Sequence, residues 1–208
     1  MPKFEALLFD LGNVLFEIDI PKCSKAIYDL LDPEVDKEVF REEFRMKNHA
    51  LEIGELSKAV FINFILSHAR KGTQALDVIL AWNSMLIGMP AVHFDLLKRL
   101  KKKYKLYLLS NINAFHHPRF LEMIAEDHDI TDFDSYFDQT FYSHLIGYRK
   151  PDPKTYDHVL EEVGVQPDKL FYLDDTEEHI RSAGEKGVQT QLIRDIKETR
   201  AMMEWLLV

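Results

Sequence analysis

The chain opens with a short apolar run over residues 6–9, which ends abruptly in the carboxylate of Asp10. A continuous apolar run of this length is typical of a strand that is buried on both faces of a parallel sheet. Gly12 and Asn13 follow and favour a tight turn. Because open α/β sheets bind their ligands at the carboxyl ends of the strands, we expect Asp10 to take part in the chemistry of the protein.

From Pro21 to Met89 the apolar positions recur with helical spacing, and we predict no strand there. Four helices are expected, over residues 21–31, from Pro33 onward, over 57–70 and over 75–86. Ser57 is a plausible N-cap for the third of these helices, and Gly72 is a plausible stop. The pattern predicts a helical bundle that is inserted into a chain that began as a sheet.

Beyond Pro90 the pattern changes to alternating helices and strands. We predict strands over 105–109, 139–143, 169–173 and 188–193. Helices are expected around 92–100, 120–125 and 177–186, from Asp152-Pro153 to Gly164, and at the carboxyl end. Such alternation predicts the α/β class, with a three-layer, Rossmann-like core around a parallel sheet. We predict that residues 1–15 and 90–208 form this core and that residues 16–89 form the inserted helical domain.

Composition narrows the possible partners and location. The chain has 208 residues and a net charge of −9, which argues against a nucleic-acid partner that is held by charge. The single cysteine, Cys23, excludes an intrachain disulfide and fits a reducing compartment. No apolar run approaches the roughly 20 residues of a membrane helix, and the first residues do not resemble a signal peptide. We therefore expect a cytoplasmic protein without a membrane partner, and the sequence does not predict its oligomeric state.

Polar side chains follow three of the predicted strands: Asp10, then Ser110 and Asn111, then the pair at 174–175. Lys150 stands in the loop before the helix that starts at a proline. The carboxyl ends of parallel strands share one edge of a sheet, so these groups are expected to meet. Crowded carboxylates repel one another unless a cation lies between them, and hard oxygen ligands suit Mg²⁺. Lys150 and the Ser110 region would then hold an anion, with phosphate as the obvious choice.

The same residues carry a family resemblance. The order Asp-Leu-Gly-Asn-Val at 10–14, Leu-Leu-Ser-Asn at 108–111, Lys-Pro-Asp-Pro at 150–153 and Leu-Asp-Asp at 173–175 resembles the four motifs of the haloacid dehalogenase-like hydrolase superfamily. The helical block resembles the cap of that family, which closes over the site and selects the substrate. The first motif is most similar to a branch of sugar-phosphate phosphatases that includes α-D-glucose-1-phosphatase.

The resemblance implies a phosphatase that works through an aspartyl phosphate. Asp10 would attack phosphorus, and water would later hydrolyse the intermediate. Ser110 and Asn111 would bind the phosphoryl oxygens, and Lys150 would neutralise both Asp10 and the phosphoryl group. The expected substrate is a small phosphomonoester, with a sugar phosphate as the first guess.

The resemblance also implies an Mg²⁺ site. Its ligands would be Asp10, the backbone carbonyl of Gly12, and the acidic pair at the end of a later strand. Asp175 is predicted to be the direct ligand of that pair, and Asp174 a direct or water-mediated one.

Gly12 departs from the pattern of the family. Most phosphatases of the superfamily carry a second aspartate two residues after the nucleophile, and this aspartate protonates the leaving group. Such general acid catalysis is typically worth about 10²–10⁴-fold. Another group or water could supply the proton, the enzyme could be slow, or its substrates could leave easily.

Two other functions stay open. Dehalogenases of the superfamily also lack the second aspartate and need no metal, but they usually lack the late acidic pair, so Asp174 and Asp175 favour a phosphatase. A non-catalytic protein that binds a phosphorylated ligand is the third hypothesis. Among the histidines, His116 and His117 are expected at a helix start or on the surface, and a role in substrate contact stays open because their loop lies beside the predicted site. His179 is expected to be structural.

Overall fold

The computed structural model describes residues 4–208. Within this range the strands are β1 (Ala6–Phe9), β2 (Glu17–Ile18), β3 (Leu86–Gly88), β4 (Lys105–Ser110), β5 (Gln139–Tyr142), β6 (Leu170–Asp174) and β7 (Gln189–Leu192). The α-helices are α1 (Ile20–Leu30), α2 (Lys37–Glu52), α3 (Lys58–Leu66), α4 (Ala75–Asn83), α5 (Ala91–Leu100), α6 (His116–His128), α7 (Ser143–Ile146), α8 (Pro153–Val163), α9 (Glu177–Glu185) and α10 (Ile196–Leu207).

The central sheet has the strand order β5-β4-β1-β6-β7, and every pairing in it is parallel. Helices cover both of its faces, so the predicted three-layer α/β class is confirmed. The order reverses at β1, because the chain first adds β4 and β5 on one side and then β6 and β7 on the other. This reversal opens a crevice beyond the carboxyl end of β1, which is where ligands bind in open α/β sheets.

Strand β1 is apolar throughout because both of its faces are covered. Leu7 and Phe9 pack into one hydrophobic cluster, whereas Ala6 and Leu8 pack into the cluster on the opposite face. All of these side chains are buried. Burial of a large aliphatic or aromatic side chain stabilises the folded state by about 1.5–3 kcal/mol, so the centre of the sheet is a stable support for Asp10.

Helices α1 to α4 form what we call the four-helix segment, residues 20–83. It has a hydrophobic cluster of its own, in which Phe40, Phe61, Ile65 and Trp82 are buried. Side chains stabilise the amino ends of its helices: Asp19 caps α1, Asp36 caps α2 and Ser57 caps α3. The predicted N-cap at Ser57 is therefore confirmed.

Several predicted boundaries in this region are wrong. Helix α2 begins at Lys37, because the Asp36 carboxylate accepts hydrogen bonds from the next helical amides, while Pro33 lies in a turn. Helix α3 ends at Leu66 rather than at residue 70, and α4 ends at Asn83 rather than at residue 86.

The prediction that no strand occurs between residues 21 and 89 is also wrong. Strand β3 pairs antiparallel with β2, Glu17 opposite Gly88 and Ile18 opposite Leu86. These strands of two and three residues are too short to produce a readable alternation in the sequence. Together they form a two-stranded ribbon where the chain leaves the central sheet and where it returns.

Beyond residue 90 the predicted elements agree more closely with the structure. The predicted strands occur within one or two residues of their expected bounds. Helix α8 begins as expected, with Asp152 as N-cap and Pro153 in the first turn, and it ends at Gly164, whose φ of +64° suits a glycine. Helix α6 is longer than expected, from His116 to His128.

Among residues 4–208, no helix combines the length and the apolar character needed to cross a membrane.

The turn after α2 makes a close contact with the backbone of α7. Gly54 has a φ of +76°, and a Cβ atom there would lie 2.6 Å from the carbonyl oxygen of His144. Gly72 has a φ of +96° but open space around its Cα. Both glycines need the left-handed region, but only Gly54 also needs the absence of a side chain.

We predict that Gly54→Ala lowers the free energy of unfolding more than Gly72→Ala does. Each substitution costs about 1–2 kcal/mol for the left-handed backbone, and the contact at Gly54 adds about 1–3 kcal/mol. Urea denaturation of both variants measures the difference. Equal losses would contradict the close approach of this turn to His144.

Candidate active site

A buried ammonium group lies at the centre of the site. Lys150 Nζ is 2.7 Å from Asp10 Oδ1 and 2.7 Å from Asp174 Oδ2, and it donates to the carbonyl oxygen of Leu109 at 3.1 Å. Lys150 is only 1% exposed. Phe9 and Leu173 are register partners in β1 and β6, so Asp10 and Asp174 stand side by side one residue further on. The sheet register therefore places these two carboxylates on either side of the ammonium.

Burial dominates the ionisation of Asp10. It raises the pKa of Asp10 to about 8, although Lys150 opposes the shift. For Lys150, burial favours the neutral amine, but Asp10 and Asp174 outweigh it, and the pKa of Lys150 is raised. The lysine is therefore a fixed positive charge, and a further cation beside Asp10 would favour its carboxylate form.

Asp174 is completely buried and fully engaged by hydrogen bonds. Its Oδ2 accepts from the Tyr172 hydroxyl, its Oδ1 accepts from the Thr176 amide at 2.8 Å, and His179 Nδ1 lies 2.9 Å from Oδ1. Burial opposes ionisation, yet Lys150 and His179 outweigh it and hold the pKa of Asp174 well below its usual range. Asp174 is thus an ionised carboxylate that anchors Lys150.

Asp175 is held from two sides. Its carboxylate accepts a hydrogen bond from Asn13 Nδ2 at 3.2 Å and another from the Thr176 hydroxyl at 3.0 Å. Asn13 has a φ of +53°, which asparagine tolerates, and its Oδ1 accepts from the amide of Ile18. The loop after β1 therefore connects the end of β1, the two-stranded ribbon and Asp175.

Three carboxylates converge at this point. Asp10, Asp174 and Asp175 each offer an oxygen, and these oxygens lie within 4.8 Å of one another. Once Asp10 is ionised, the ammonium of Lys150 cannot neutralise all three carboxylates by itself. A small divalent cation with a preference for oxygen ligands, such as Mg²⁺, fits both the charge and the donor atoms. The structure therefore brings together the predicted aspartates, and Gly12 lines the same cavity.

Ser110 and Asn111 lie at the end of β4, in the wall of the same cavity. The Asn111 amide exchanges two hydrogen bonds of 2.9 Å with the backbone N–H and C=O of Lys150. Asn111 thus holds the loop that delivers Lys150. The predicted role of Ser110 and Asn111 in binding phosphoryl oxygens stays a prediction.

Two adjoining cavities surround these groups. The first, which we call the site cavity, has a volume of about 220 Å³ and contains Asp10, Ser110 and Lys150 in its wall. The second, the side cavity, has about 500 Å³ and lies among α1, α2 and α4. Residues that line both are Ile20, Glu52, Met85, Asn111 and His116. A ligand could therefore reach from one cavity into the other, past Glu52 and His116.

Some surroundings of the site differ from the sequence interpretation. His116 was expected at a helix start or on the surface: it does begin α6, but it is buried. Its Nε2 bonds the carbonyl oxygen of Trp82 at 3.1 Å, and burial lowers the pKa of His116 to about 4. Glu52 and Tyr172 were not singled out. The positions of these two residues in the site depend on the folded structure, and no local sequence motif indicates either residue.

Comparisons with known proteins agree with this geometry. The D-ribitol-5-phosphate phosphatase of Bacteroides thetaiotaomicron is 26% identical over 186 residues, which are 88% of this chain and 89% of that enzyme. A crystal structure of a HAD family enzyme from the same organism superposes with a TM-score of 0.81 at 28% identity, covering 92% of this chain and 94% of that one. A complex of that family enzyme with magnesium and inorganic phosphate gives a TM-score of 0.77 at 28% identity, covering 92% and 95%.

The family model described as haloacid dehalogenase-like hydrolase matches residues 4–185. The match covers β1 to β6, the four-helix segment and the strand ends at Asp10, Ser110 and Asp174. The chain therefore belongs to the haloacid dehalogenase-like hydrolase family.

Proposed function

We propose that this hydrolase is an Mg²⁺-dependent phosphatase that cleaves a small phosphomonoester through an aspartyl phosphate on Asp10. The observation that carries the proposal is the placement of Asp10. Its carboxylate lies at the edge of the site cavity, beside a buried ammonium and within reach of two further carboxylates. The proposed nucleophile therefore lies next to groups that could bind one cation and one anion.

In the first step Asp10 attacks phosphorus and the ester oxygen departs. The backbone N–H of Leu11 donates to Asp10 Oδ1 at 2.7 Å, and together with Lys150 it holds that oxygen in place. Asp10, Asp174 and Asp175 would hold the Mg²⁺, which when bound supplies positive charge to the phosphoryl oxygens. Preorganised charge of this kind is usually the largest contribution to such catalysis.

In the second step water hydrolyses the aspartyl phosphate, which regenerates the Asp10 carboxylate and releases phosphate. Lys150 stays charged throughout, because its ion pair with Asp174 does not take part in the reaction. We assign the binding of the phosphoryl oxygens to Ser110 and the neighbouring amides, since this residue lines the site cavity at the end of β4.

A sugar or sugar-alcohol phosphate is the substrate class that we favour. The site cavity of about 220 Å³ suits a phosphoryl group with a few carbon atoms attached. The similarity to an enzyme named for D-ribitol 5-phosphate points in the same direction. The narrower resemblance to the glucose-1-phosphatase branch stays a prediction.

We further propose that the four-helix segment acts as a cap, with residues 16–89 inserted into a core of residues 1–15 and 90–208. Supporting this, Ile20 and Glu52 of that segment line the site cavity opposite the strand ends. A cap excludes water and selects the leaving group. A cytoplasmic location belongs to the proposal too, since the only cysteine, Cys23, is a free thiol.

The carboxylates argue against the two other hypotheses. A dehalogenase needs no metal. In such an enzyme the repulsion of Asp174 and Asp175 with the nucleophile would destabilise the site, and no bound cation would offset it. A non-catalytic binder would not need a buried nucleophile whose partner lysine is also buried. We therefore favour the phosphatase.

Asp10→Asn is predicted to abolish turnover. Phosphate release from a panel of sugar and sugar-alcohol phosphates should fall by more than about 10³-fold, because the amide of asparagine cannot form the aspartyl phosphate. The matched control is Asp127→Asn, an exposed aspartate in α6, which should keep wild-type rates. Full activity of Asp10→Asn would exclude the covalent mechanism.

Mg²⁺ is predicted to stabilise the wild-type protein. At 100 times its dissociation constant, a cation that binds only the folded state adds about 2.7 kcal/mol to the free energy of unfolding. Thermal unfolding with Mg²⁺ and with EDTA measures the shift. Asp175→Asn should lose most of it, whereas Asp127→Asn should keep it. An equal shift in both variants would place the cation elsewhere.

A further inference from the structure

The departing oxygen of a sugar-alcohol phosphate needs a proton, and Gly12 cannot give one. Alkoxides are poor leaving groups, so a positioned acid accelerates their departure by about 10²–10⁴-fold. Among the described residues, the carboxyl side chains that line the site cavity are Asp10, Asp175 and Glu52. The first is the proposed nucleophile and the second a proposed metal ligand. Glu52 has no assigned task.

We propose that Glu52, supplied by the four-helix segment, is the general acid that replaces the missing side chain at position 12. This inference rests on the proposed phosphatase function and adds a catalytic residue to it. Glu52 would protonate the leaving oxygen of the substrate, and its carboxylate would then accept a proton from the attacking water.

The position of Glu52 suits a contact with the leaving group. It is the last residue of α2 and lies where the site cavity meets the side cavity, since it lines both. A leaving group that extends from the site cavity into the side cavity passes Glu52. The Glu52 side chain is only 13% exposed, so bulk water does not compete strongly for its proton.

Two hydrogen bonds fix the carboxyl group. Arg149 Nε donates to Glu52 Oε2 at 2.8 Å, and Asn48 Nδ2 donates to Oε1 at 2.9 Å. Arg149 precedes Lys150, so the same loop positions both the ammonium and Glu52. A carboxyl group that is held from two sides is preoriented for proton transfer.

Asn48 can pair with either protonation state of Glu52. Its Oδ1 is buried and has no hydrogen-bond partner within the described part of the chain. A half-turn of the amide exchanges Nδ2, which donates to a carboxylate, for Oδ1, which accepts from a carboxylic acid. Burial also raises the pKa of Glu52 against the opposing effects of Arg149 and Asn48, so the acid form persists to a higher pH than in an exposed glutamate.

The other titratable groups in the wall are already committed. Lys150 directs its ammonium at Asp10, Asp174 and the Leu109 carbonyl. Both ring nitrogens of His116 are hydrogen-bonded, Nε2 to the Trp82 carbonyl and Nδ1 to Asn113. His179 Nδ1 is hydrogen-bonded to the carboxylate of Asp174, at 2.9 Å from Oδ1.

Asp10 forms a bond to phosphorus while the bond from phosphorus to the ester oxygen breaks, and the electron pair of that bond stays on the leaving oxygen. The proton of the Glu52 carboxyl moves to this oxygen and produces the alcohol. In the second step water bonds to phosphorus, the bond to Asp10 breaks, and the proton of the water returns to Glu52.

Glu52→Gln tests this role through a ratio of two substrates. D-ribitol 5-phosphate needs a proton on its leaving oxygen, whereas p-nitrophenyl phosphate releases a stable anion. We expect kcat/KM, which reports the steps up to departure of the alcohol and not the later hydrolysis of the aspartyl phosphate, to fall by about 10²–10⁴-fold for the ribitol ester and by less than about threefold for the aryl ester. Because both values come from one preparation, the ratio does not depend on the folded fraction. Glu55→Gln, an exposed neighbour beyond α2, should change neither.

Equal losses on both esters, or no loss on either, would overturn the role of Glu52. The failure of the phosphatase proposal looks different, since wild-type protein would then release phosphate from neither ester in the presence of Mg²⁺.

The pH dependence of the same two reactions gives a second readout. Glu52 must be protonated before the ester bond breaks, so kcat/KM for the ribitol ester should decline as the pH rises through the pKa of Glu52. The aryl ester should lack this decline, and Glu52→Gln should remove it from the residual ribitol reaction. Identical pH profiles for the two esters in wild-type protein would contradict the proposal.

Discussion

The ion pairs of Lys150 with Asp10 and Asp174 are the interaction on which the site depends. A buried ammonium is costly unless it is paired, and removal of one partner from such a pair typically costs about 3–5 kcal/mol. Here the partners come from adjacent strand ends, while the lysine arrives on a loop that Asn111 holds by its backbone. The sheet register, the loop and the charges therefore support one another, and the proposed nucleophile, Asp10, is held in place by Lys150.

The negative charges in this arrangement outnumber the positive ones. One ammonium faces three carboxylates whose oxygens lie within 4.8 Å of one another, so the site attracts a cation. Once a divalent cation is present, the balance becomes favourable for an anionic phosphoryl group beside Asp10. In the proposed mechanism these carboxylates hold the cation, and the cation together with Lys150 would be the main source of transition-state stabilisation.

The parts of the fold that were predictable are those whose signal is local. The structure confirms the predicted strand that ends just before Asp10, and it confirms the helix start at Asp152-Pro153. The two-stranded ribbon was missed because its strands are too short to show a period. Glu52 was missed because its partner Arg149 is 97 residues away in the sequence, and the burial of His116 depends on contact with Trp82. Side chains that act through such contacts leave no pattern along the chain.

The most direct test of the account is a search for the covalent intermediate. Wild-type protein would be mixed with Mg²⁺ and D-ribitol 5-phosphate, quenched in acid within the first turnover, digested and examined by mass spectrometry. The account predicts a phosphoryl group on the peptide that contains Asp10, which disappears as phosphate is released. Phosphate release without a phosphorylated Asp10 at any time during the first turnover, or a phosphoryl group on a different side chain, would contradict it.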